Sequence, residues 1–266
     1  QTEVIISDNA STDETESICR RYCLSHSQIR YNRFEENVGV SANFARVLSE
    51  AQGKYFIWAS GHDLWDSNYL HECGSMLDQN PDAIVAFGTT RWIDAEGQPF
   101  PRITGWCDTR GMSIIGRYFA AFWGNMNPVI ALIRTNNLQK QKIDDMVGVD
   151  LAILLSLVLH GDFVHAHRTG WCRREFRKEV HYEQKLERYR SADYALSSSW
   201  VGRYFPLARL PVRIVSDLFG SGLPLSQKLM IMMILLFSLP IKYIVDKAQK
   251  NGAKTSQSHQ TPKQSL

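Results

Sequence analysis

Residues 54–65 read KYFIWASGHDLW, and this stretch decides the fold. Its first part is continuously apolar, which predicts a β-strand covered on both faces, as in an α/β sheet. Such sheets bind their ligands beyond the carboxyl ends of the strands, so Asp63, which follows the strand, is a candidate for chemistry. The alternative interpretation is that residues 60–63 only form a turn that caps the next helix.

The rest of the chain repeats the pattern of a strand followed by a helix. The predicted strands lie at residues 3–7, 29–32, 54–58, 83–87 and 162–167, and residues 125–133 are predicted to form a turn and a strand. One helix is predicted to begin after residue 11, and the others are predicted at 42–51, 68–79 and 150–161. Strands and helices in this alternation imply βαβ units with right-handed crossovers. We therefore expect an α/β fold with a mostly parallel sheet flanked by helices. Asp8 ends the first strand and would lie on the same rim as Asp63.

Composition limits the class of protein. The chain has 266 residues, of which 44% are hydrophobic, so it can bury one substantial core and carry an appendage. A net charge of +3 is too small to argue for nucleic acid as a partner. The five cysteines are scattered without a CxxC pair, which favours reduced thiols in a cytosolic setting over disulfides or a zinc site.

Two common phosphate-binding signatures are missing from the sequence. No G-x-G-x-x-G follows the first strand, and there is no Gly-rich loop that ends in Lys-Ser or Lys-Thr. A nucleotide would therefore be held through side chains. If that nucleotide carries a diphosphate, a metal bridging its oxygens to a carboxylate would hold it as well.

Three motifs resemble those of the family 2 nucleotide-sugar glycosyltransferases, which have the GT-A fold. They are VIISDNASTD at 4–13, ENVG at 36–39 and WASGHDLW at 58–65, and they occur in the family's order. The resemblance starts at the first residue, is lost after about residue 87 and resumes near residue 146. It implies a GT-A, Rossmann-like sheet flanked by helices.

The same resemblance implies roles for single residues. Asp8 matches the Asp of the strand-end motif that binds the nucleotide base, and Asn9 and Asn37 belong to the motifs that bind the donor. Asp63 matches the last acid of the family's D-x-D-like cluster, so it would bind the donor and a divalent cation, Mn or Mg, on its diphosphate.

The chain departs from the family pattern in two places. Gly61 and His62 occupy positions where the family has acids. Fewer carboxylates lower the affinity for magnesium, whereas manganese also accepts an imidazole as a ligand. His62 is therefore a candidate metal ligand, and a solvent-facing or turn-stabilising histidine is the alternative. The family's first strand and its P-T-Y-N-like loop are also missing, because the chain begins almost inside a strand, so we expect an N-terminally truncated domain.

Residues 144–161 resemble the family segment that carries the catalytic base. Asp150 matches that base, and Val149 replaces the neighbouring acid. An inverting transfer needs one general base, which takes the proton from the attacking acceptor hydroxyl. Alternatively, Asp150 has only a structural role, because an acid in the first turn of a helix is favoured by the helix dipole. Asp144 and Asp145 are predicted to form a solvated turn.

A basic run follows the strand at 162–167 and is interrupted by glutamates. Alternating charges are typical of a solvated helix face. The functional alternatives are contact with anionic lipid headgroups or with the donor diphosphate, and Arg173 or Arg174 is our candidate for the latter. The chain has no Q-x-x-R-W, the mark of the processive polysaccharide synthases of the family, so single-sugar transfer is preferred.

The composition changes after about residue 195. We predict a GT-A domain at 1–195, a membrane-associated helical region at 196–249 and a disordered tail at 250–266. Residues 229–239 are apolar on every side but span only about 16 Å, roughly half of a hydrocarbon core. A helix that lies in the membrane surface or re-enters it is therefore preferred to a packed core helix or a true span.

Together these observations predict a metal-dependent, inverting glycosyltransferase at the cytoplasmic face of a membrane. It would move one sugar, of hexosyl type, from a nucleotide donor to a glycan or lipid-linked acceptor, as in polysaccharide biosynthesis. The alternatives are a non-catalytic nucleotide- or glycan-binding module of the same fold and a membrane-tethered scaffold. The enzyme reading requires Asp8, Asp63 and Asp150 to converge around one cleft.

Overall fold

The computed structural model describes residues 2–102, 107–124, 127–175 and 208–257. Within these ranges the strands are β1 (Val4–Asp8), β2 (Ile29–Arg33), β3 (Tyr55–Phe56), β4 (Leu64–Trp65), β5 (Ala83–Ile93), β6 (Leu132–Arg134) and β7 (Asp162–Arg174). The helices are α1 (Thr15–Ser25), α2 (Val40–Glu50), α3 (Tyr69–Gln79), α4 (Ile114–Trp123), α5 (Thr135–Leu138), α6 (Val149–Val158), α7 (Arg209–Gly220) and α8 (Leu225–Gln257). A 3₁₀ turn covers Asn127–Ile130. Strands and helices alternate through most of the described chain, so the predicted α/β architecture is confirmed.

The first two strands form a small parallel sheet. Val4 pairs with Ile29 and Asp8 pairs with Arg33, and α1 connects the two strands as the βαβ pattern predicts. The carboxyl ends of both strands therefore lie on the same side of the sheet, where Asp8 lies beside β2. At the amino end of β1, Glu3 Oε1 accepts the backbone N–H groups of Gln52 (2.7 Å) and Gly53 (2.8 Å), which attaches this sheet to the segment that leads into β3.

The larger sheet has the strand order β3-β6-β5-β7-β4. Its longest pairing, β5 with β7, is parallel, whereas β3–β6, β5–β6 and β4–β7 are antiparallel. The described sheet is thus mixed, which corrects the expected strand directions. β3 and β4 are the two edge strands, so residues 57–63, which lie between them in the chain, lead from one edge of the sheet to the other.

The strand predicted at 54–58 forms a shorter ladder than expected. Only Tyr55 and Phe56 pair with β6, opposite Arg134 and Ile133. Phe56 and Trp58 are buried in one core cluster, and Tyr55 and Ile57 pack against a second one. The prediction that both faces of this segment are covered is therefore confirmed.

Two clusters of buried apolar side chains stabilise the sheet. The second cluster includes Tyr69, Cys73 and Leu77 of α3, which recur every four residues and so face the sheet together. The main cluster includes α6, whose side chains from Leu151 to Val158 are all buried. Helices cover the sheet through both clusters, as expected for two-sided burial.

The two C-terminal helices pack on the main cluster. Ile214 and Leu218 of α7 and Ile231 and Leu235 of α8 are buried there, in pairs four residues apart. The predicted division at residues 195 and 249 stays a prediction. Helix α8 continues to Gln257, so it extends into the segment for which we expected disorder, and residues 258–266 lie outside the described part of the chain.

The surface of α8 is unusually apolar. Over Leu225–Lys242 it is the one described helix that is long and apolar enough to cross a membrane, and little of that window is buried. Pro240 lies inside the helix. The exposed apolar side chains of α8 are Leu225, Leu229, Met230, Met233, Ile234, Leu236, Phe237, Ile241, Ile244 and Val245. Membrane association stays a prediction.

Candidate active site

Asp8 ends β1 as a buried carboxylate with several hydrogen-bond donors. Its Oδ1 accepts the backbone N–H of Ser11 at 2.8 Å, and its Oδ2 accepts the hydroxyl of Tyr31 at 2.6 Å. Arg33 Nε lies 3.5 Å from Oδ2. Burial raises the pKa of Asp8, but the hydrogen bonds from Ser11 and Tyr31 and the charge of Arg33 outweigh it, so the pKa lies below its usual range. Asp8 is therefore an anion at neutral pH.

Asn9 and Asn37 join the loop after β1 to the turn before α2. Asn9 Nδ2 donates to Asn37 Oδ1 at 2.7 Å, and Asn9 Oδ1 accepts the backbone N–H of Val38 at 2.9 Å. Asn37 Oδ1 also accepts the N–H of Gly39, which has a φ of +85° and precedes α2. The two predicted donor-binding amides are thus in direct contact beside Asp8.

Asp63 lies in the turn between β3 and β4, and its side chain is almost completely buried. Its Oδ1 accepts the backbone N–H of Arg174 at 2.8 Å, and within the described residues Oδ2 accepts no hydrogen bond. His62 Nε2 lies 3.9 Å from Asp63 Oδ1, and the His62 ring, which is half exposed, contacts the hydroxyl of Ser60. The turn interpretation of this segment is thus compatible with one Asp63 oxygen remaining available to a ligand.

Asp63 and His62 fit a divalent cation only as part of a site that the donor completes. Among the described residues no group of three or more His, Cys, Asp or Glu side chains is placed to hold a metal. Mg²⁺ commonly binds through one or two carboxylates together with substrate phosphates and water. One carboxylate oxygen of Asp63 and the adjacent imidazole match that open type of site, and they do not match a cation cage built by protein alone.

Arg173 connects Asp63 electrostatically with Asp150. It pairs with Trp92 across β5 and β7, and its Cζ lies 5.0 Å from the centre of the Trp92 ring, while Arg102 Cζ lies 4.0 Å from the same centre. Burial lowers the pKa of Arg173, and the carboxylates of Asp63 and Asp150 are among the groups that oppose this shift. Two acids far apart in the chain thus act on one guanidinium.

Arg174 holds the turn that carries Asp63. Besides its N–H bond to Asp63, its Nε donates to the carbonyl of His62 at 3.0 Å. Its Nη1 donates to the carbonyls of Asp94 (3.2 Å) and Ala95 (2.9 Å). The Arg174 guanidinium therefore joins the acidic turn to the loop after β5, whereas the guanidinium of Arg173 lies over the ring of Trp92.

Asp150 is exposed in the first turn of α6, so the prediction that it opens this helix is confirmed. Gly148, with a φ of +86°, precedes the helix. Asp144, which with Asp145 was predicted to form a solvated turn, is partly exposed, and it also forms an ion pair with the buried Arg213 of α7, which was not predicted. Asp145 Oδ1 accepts the hydroxyl of Ser41 at 3.4 Å.

The structure brings the predicted site residues together in two groups. Asp8, Asn9 and Asn37 form one, and Asp63, His62 and Arg173 form the other. Asp150 is related to the second group through its charge, which opposes the lowering of the pKa of Arg173. The Ser41–Asp145 contact connects them, because Ser41 belongs to the first turn of α2 and Asp145 lies in the loop before α6. Convergence of all three acids on one cleft stays a prediction.

Several partners of these residues were not identified from the sequence. Tyr31 and Arg33 of β2 bind Asp8, and alternation in IRYNR was the signal that placed them on one face. Arg213 gave no signal, since its partner Asp144 is far away in the sequence. Of the predicted basic run, Arg168 to Arg174 belong to β7 and not to a helix, and residues 176–207 lie outside the described chain.

Solved structures share this fold. Staphylococcus aureus TarS residues 1–349 in complex with UDP-GlcNAc superimposes with a TM-score of 0.60 and 16% identity, covering 88% of this chain and 62% of that one. GalNAc-T7 with UDP, GalNAc and Mn²⁺ gives a TM-score of 0.52 and 12% identity, covering 81% of this chain and 48% of that one. At such identities the likeness shows the GT-A fold alone.

Sequence relatives and a family model give the classification. The uncharacterized proteins Rv1520 of Mycobacterium tuberculosis and Mb1547 of Mycobacterium bovis are each 36% identical to this chain over 122 residues. The match covers 44% of this chain and about a third of theirs, at 35%. The model of glycosyl transferase family 2 matches residues 1–147, more than half of the sequence. The chain therefore belongs to glycosyl transferase family 2.

Proposed function

We propose that this chain transfers one sugar from a nucleotide-sugar donor to a hydroxyl of a glycan or lipid-linked acceptor, with inversion and with Asp150 as the base. The observation that carries the proposal is that Asp63 binds the backbone of β7 at Arg174, beside Arg173, whose burial-lowered pKa the carboxylates of Asp63 and Asp150 both oppose. A cation-binding acid, a base and a guanidinium for phosphate charge are the groups that such a transfer requires. The complexes of TarS with UDP-GlcNAc and of GalNAc-T7 with UDP, GalNAc and Mn²⁺ support a sugar-nucleotide donor.

Each of these residues has a defined part in the reaction. Asp8 accepts hydrogen bonds from the nucleotide base, and Asn9 and Asn37 form the adjoining wall. Asp150 takes the proton of the acceptor hydroxyl while the oxygen of that hydroxyl bonds to the anomeric carbon of the donor sugar. The bond from this carbon to the diphosphate oxygen breaks at the same time. Arg173 offsets the charge of the departing diphosphate. Asp63, with His62 beside it, would hold a divalent cation, which supplies further positive charge to that leaving group.

The test is a set of turnover assays with several UDP-sugars and manganese on wild type and Asp150→Asn. The substitution keeps the side-chain shape and removes the base, so we expect turnover to fall by about a hundredfold or more, with donor binding retained. Asp82→Asn is the control, because Asp82 is exposed and outside the site. Equal turnover in wild type and Asp150→Asn would remove Asp150 as the base. Donor binding without any turnover in wild type would favour the non-catalytic module.

We also propose that α8 attaches the protein to the cytoplasmic surface of a membrane. The support is its row of exposed apolar side chains, with Lys228 and Lys242 toward the two ends of the apolar segment. Trp123, at the end of α4, is also partly exposed, and Lys242 Nζ lies 5.6 Å from its ring centre. Aromatic and basic residues at the edge of an apolar surface are typical of membrane interfaces.

Sedimentation with anionic phospholipid vesicles tests this attachment. The intact chain should sediment with the vesicles, and Met233→Glu combined with Phe237→Glu should stay in the supernatant. Both side chains are exposed, so the substitutions leave the core intact. Leu24→Glu, an exposed leucine on α1, is the matched control. Sedimentation of the double variant like wild type would reject α8 as the attachment, and a vesicle-independent dimer that the double variant lacks would assign the face to a second copy.

A further inference from the structure

The loop between α5 and α6 is attached to α7 through one buried arginine. Arg213 is 9% exposed, and its Nη1 donates to the carboxylate of Asp144 and, at 3.3 Å, to the carbonyl of Lys142. Its Nε donates to Oδ2 of Asp217 at 2.7 Å. The same guanidinium therefore has two carboxylate partners, one in the loop and one on its own helix.

Two further contacts hold the same loop against α7. Arg209 Nη1 lies 3.5 Å from the carbonyl of Asp145. Leu210 packs over Gly148, and a Cβ at that position would lie 2.9 Å from Leu210 Cδ2. Because Gly148 directly precedes α6, the first turn of α6, with Asp150, follows the position of this loop.

The buried charge makes Arg213 sensitive to the loss of a partner. A guanidinium withdrawn from water is stable only when carboxylates and carbonyls satisfy it. Asp217 lies four residues along α7, so its ion pair with Arg213 stays within one helix. Of the bonds that Arg213 makes, those to Asp144 and Lys142 reach the loop. Mutation of Asp144 and mutation of Asp217 can therefore test the loop contact and the contact within the helix separately.

We propose that Arg213 is a positioning residue for Asp150: through Asp144 and Lys142 it fixes the loop that leads into α6 and hence the place of the base. This inference rests on the proposed function, since it takes Asp150 as the group that accepts the proton. Proton transfer requires the base to lie at the correct distance from the acceptor hydroxyl, so a loosened loop that displaces Asp150 lowers turnover. Donor binding stays intact, because Asp150 acts on the acceptor.

The experiment compares Asp144→Asn with Asp217→Asn in the intact chain. Each removes the negative charge of one partner of the same guanidinium, but only the first weakens a contact between α7 and the loop. We expect Asp144→Asn to lower kcat for UDP-sugar hydrolysis by about tenfold or more, with KM for the donor within about twofold of wild type. Asp217→Asn should lower the thermal midpoint and keep kcat within about twofold.

Amide hydrogen exchange supplies a readout that needs no substrate. Exchange at residues 143–150 should rise in Asp144→Asn and in Arg213→Met, and stay at the wild-type level in Asp217→Asn. Arg213→Lys keeps the positive charge but not the planar guanidinium, which bonds several acceptors at once. Residues 143–150 should therefore be better protected from exchange in Arg213→Lys than in Arg213→Met. Equal exchange and equal kcat in Asp144→Asn and Asp217→Asn would overturn the proposal, even if Arg213→Met does not fold.

Asp150→Asn in the same series separates the two proposals. If Asp150→Asn loses turnover and Asp144→Asn does not, the positioning role fails and the proposed function stands. If Asp150→Asn keeps full turnover, the proposed function fails and the positioning role fails with it.

Discussion

The hydroxyl of Tyr31 donates a 2.6 Å hydrogen bond to Oδ2 of Asp8 across the parallel pair β1 and β2. We expect Tyr31→Phe to weaken UDP binding and to lower the free energy of unfolding by about 1 kcal/mol, the usual value of one hydrogen bond. Calorimetric titration with UDP and urea denaturation measure the two effects. Tyr55→Phe is the matched control, because Tyr55 makes a similar 2.6 Å bond to the exposed Asp78, away from the site.

The same substitution has a consequence for acid stability. The pKa of Asp8 lies below its usual range, so its stabilisation is present above the unfolded-state pKa of about 4 and is lost as the pH falls through the folded-state pKa. Without the Tyr31 hydrogen bond the folded-state pKa rises toward the unfolded-state value, so the acid-induced loss of stability should be smaller and should be complete at a higher pH than in wild type. Identical acid profiles for wild type and Tyr31→Phe would contradict this account.

Asp63→Asn tests whether Asp63 binds the divalent cation. Asparagine retains an oxygen for the backbone N–H of Arg174, so the turn should keep its shape, but the ligand charge is lost. We expect the enhancement of UDP affinity by Mn²⁺ to disappear, with affinity in the absence of metal changed by less than about threefold. His62→Gln should reduce the enhancement only in part, since the half-exposed imidazole is a neutral ligand. Unchanged manganese dependence in Asp63→Asn would exclude this acid as a ligand.

Gly170→Ala tests the close approach of β5 and β7. A Cβ at Gly170 would lie 2.4 Å from the carbonyl oxygen of Thr89, and this backbone atom cannot move without breaking the strand pairing. We expect the free energy of unfolding to fall by about 1–3 kcal/mol, as in other overpacked cores. Gly222→Ala, where no atom lies within 4 Å of the added Cβ, should have little effect in the same urea titration. Equal stabilities of the two variants would show that β5 and β7 can separate at this point.

His165 gives a pH dependence near neutrality. Burial lowers its pKa, the neighbouring His167 lowers it further, and Asp108 opposes the shift. Below the unfolded-state pKa of about 6.5 the unfolded chain binds a proton that the folded chain refuses, so stability falls as the pH drops from 6.5 toward the lowered folded-state pKa. His165→Gln should flatten this part of the profile in urea titrations between pH 7.5 and 5.5. A profile as steep as that of wild type would assign the fall to other groups.

Helix α4 shows where local patterns were insufficient. The aromatic-rich segment before residue 127 has weak periodicity and was not predicted as a helix, yet Ile114–Trp123 is helical and buries Tyr118 and Phe122. A signal was present in Ser113, whose hydroxyl accepts the N–H of Gly116 as an N-cap. Burial against the main cluster outweighs the poor helix propensity of the aromatic residues.

The sequence by itself determined the order of most strands and helices, the place of Asp8 and Asp63 after strands and the place of Asp150 in the first turn of a helix. Periodicity, turn residues and caps are local, so they can be read along the chain. The tertiary structure alone decided the antiparallel pairings, the partners of Asp8 on β2, the contact of Asp63 with the backbone of β7 at Arg174 and the ion pair of Arg213 with Asp144. These are contacts between residues far apart in the chain, and burial, strand pairing and charge in three dimensions select them.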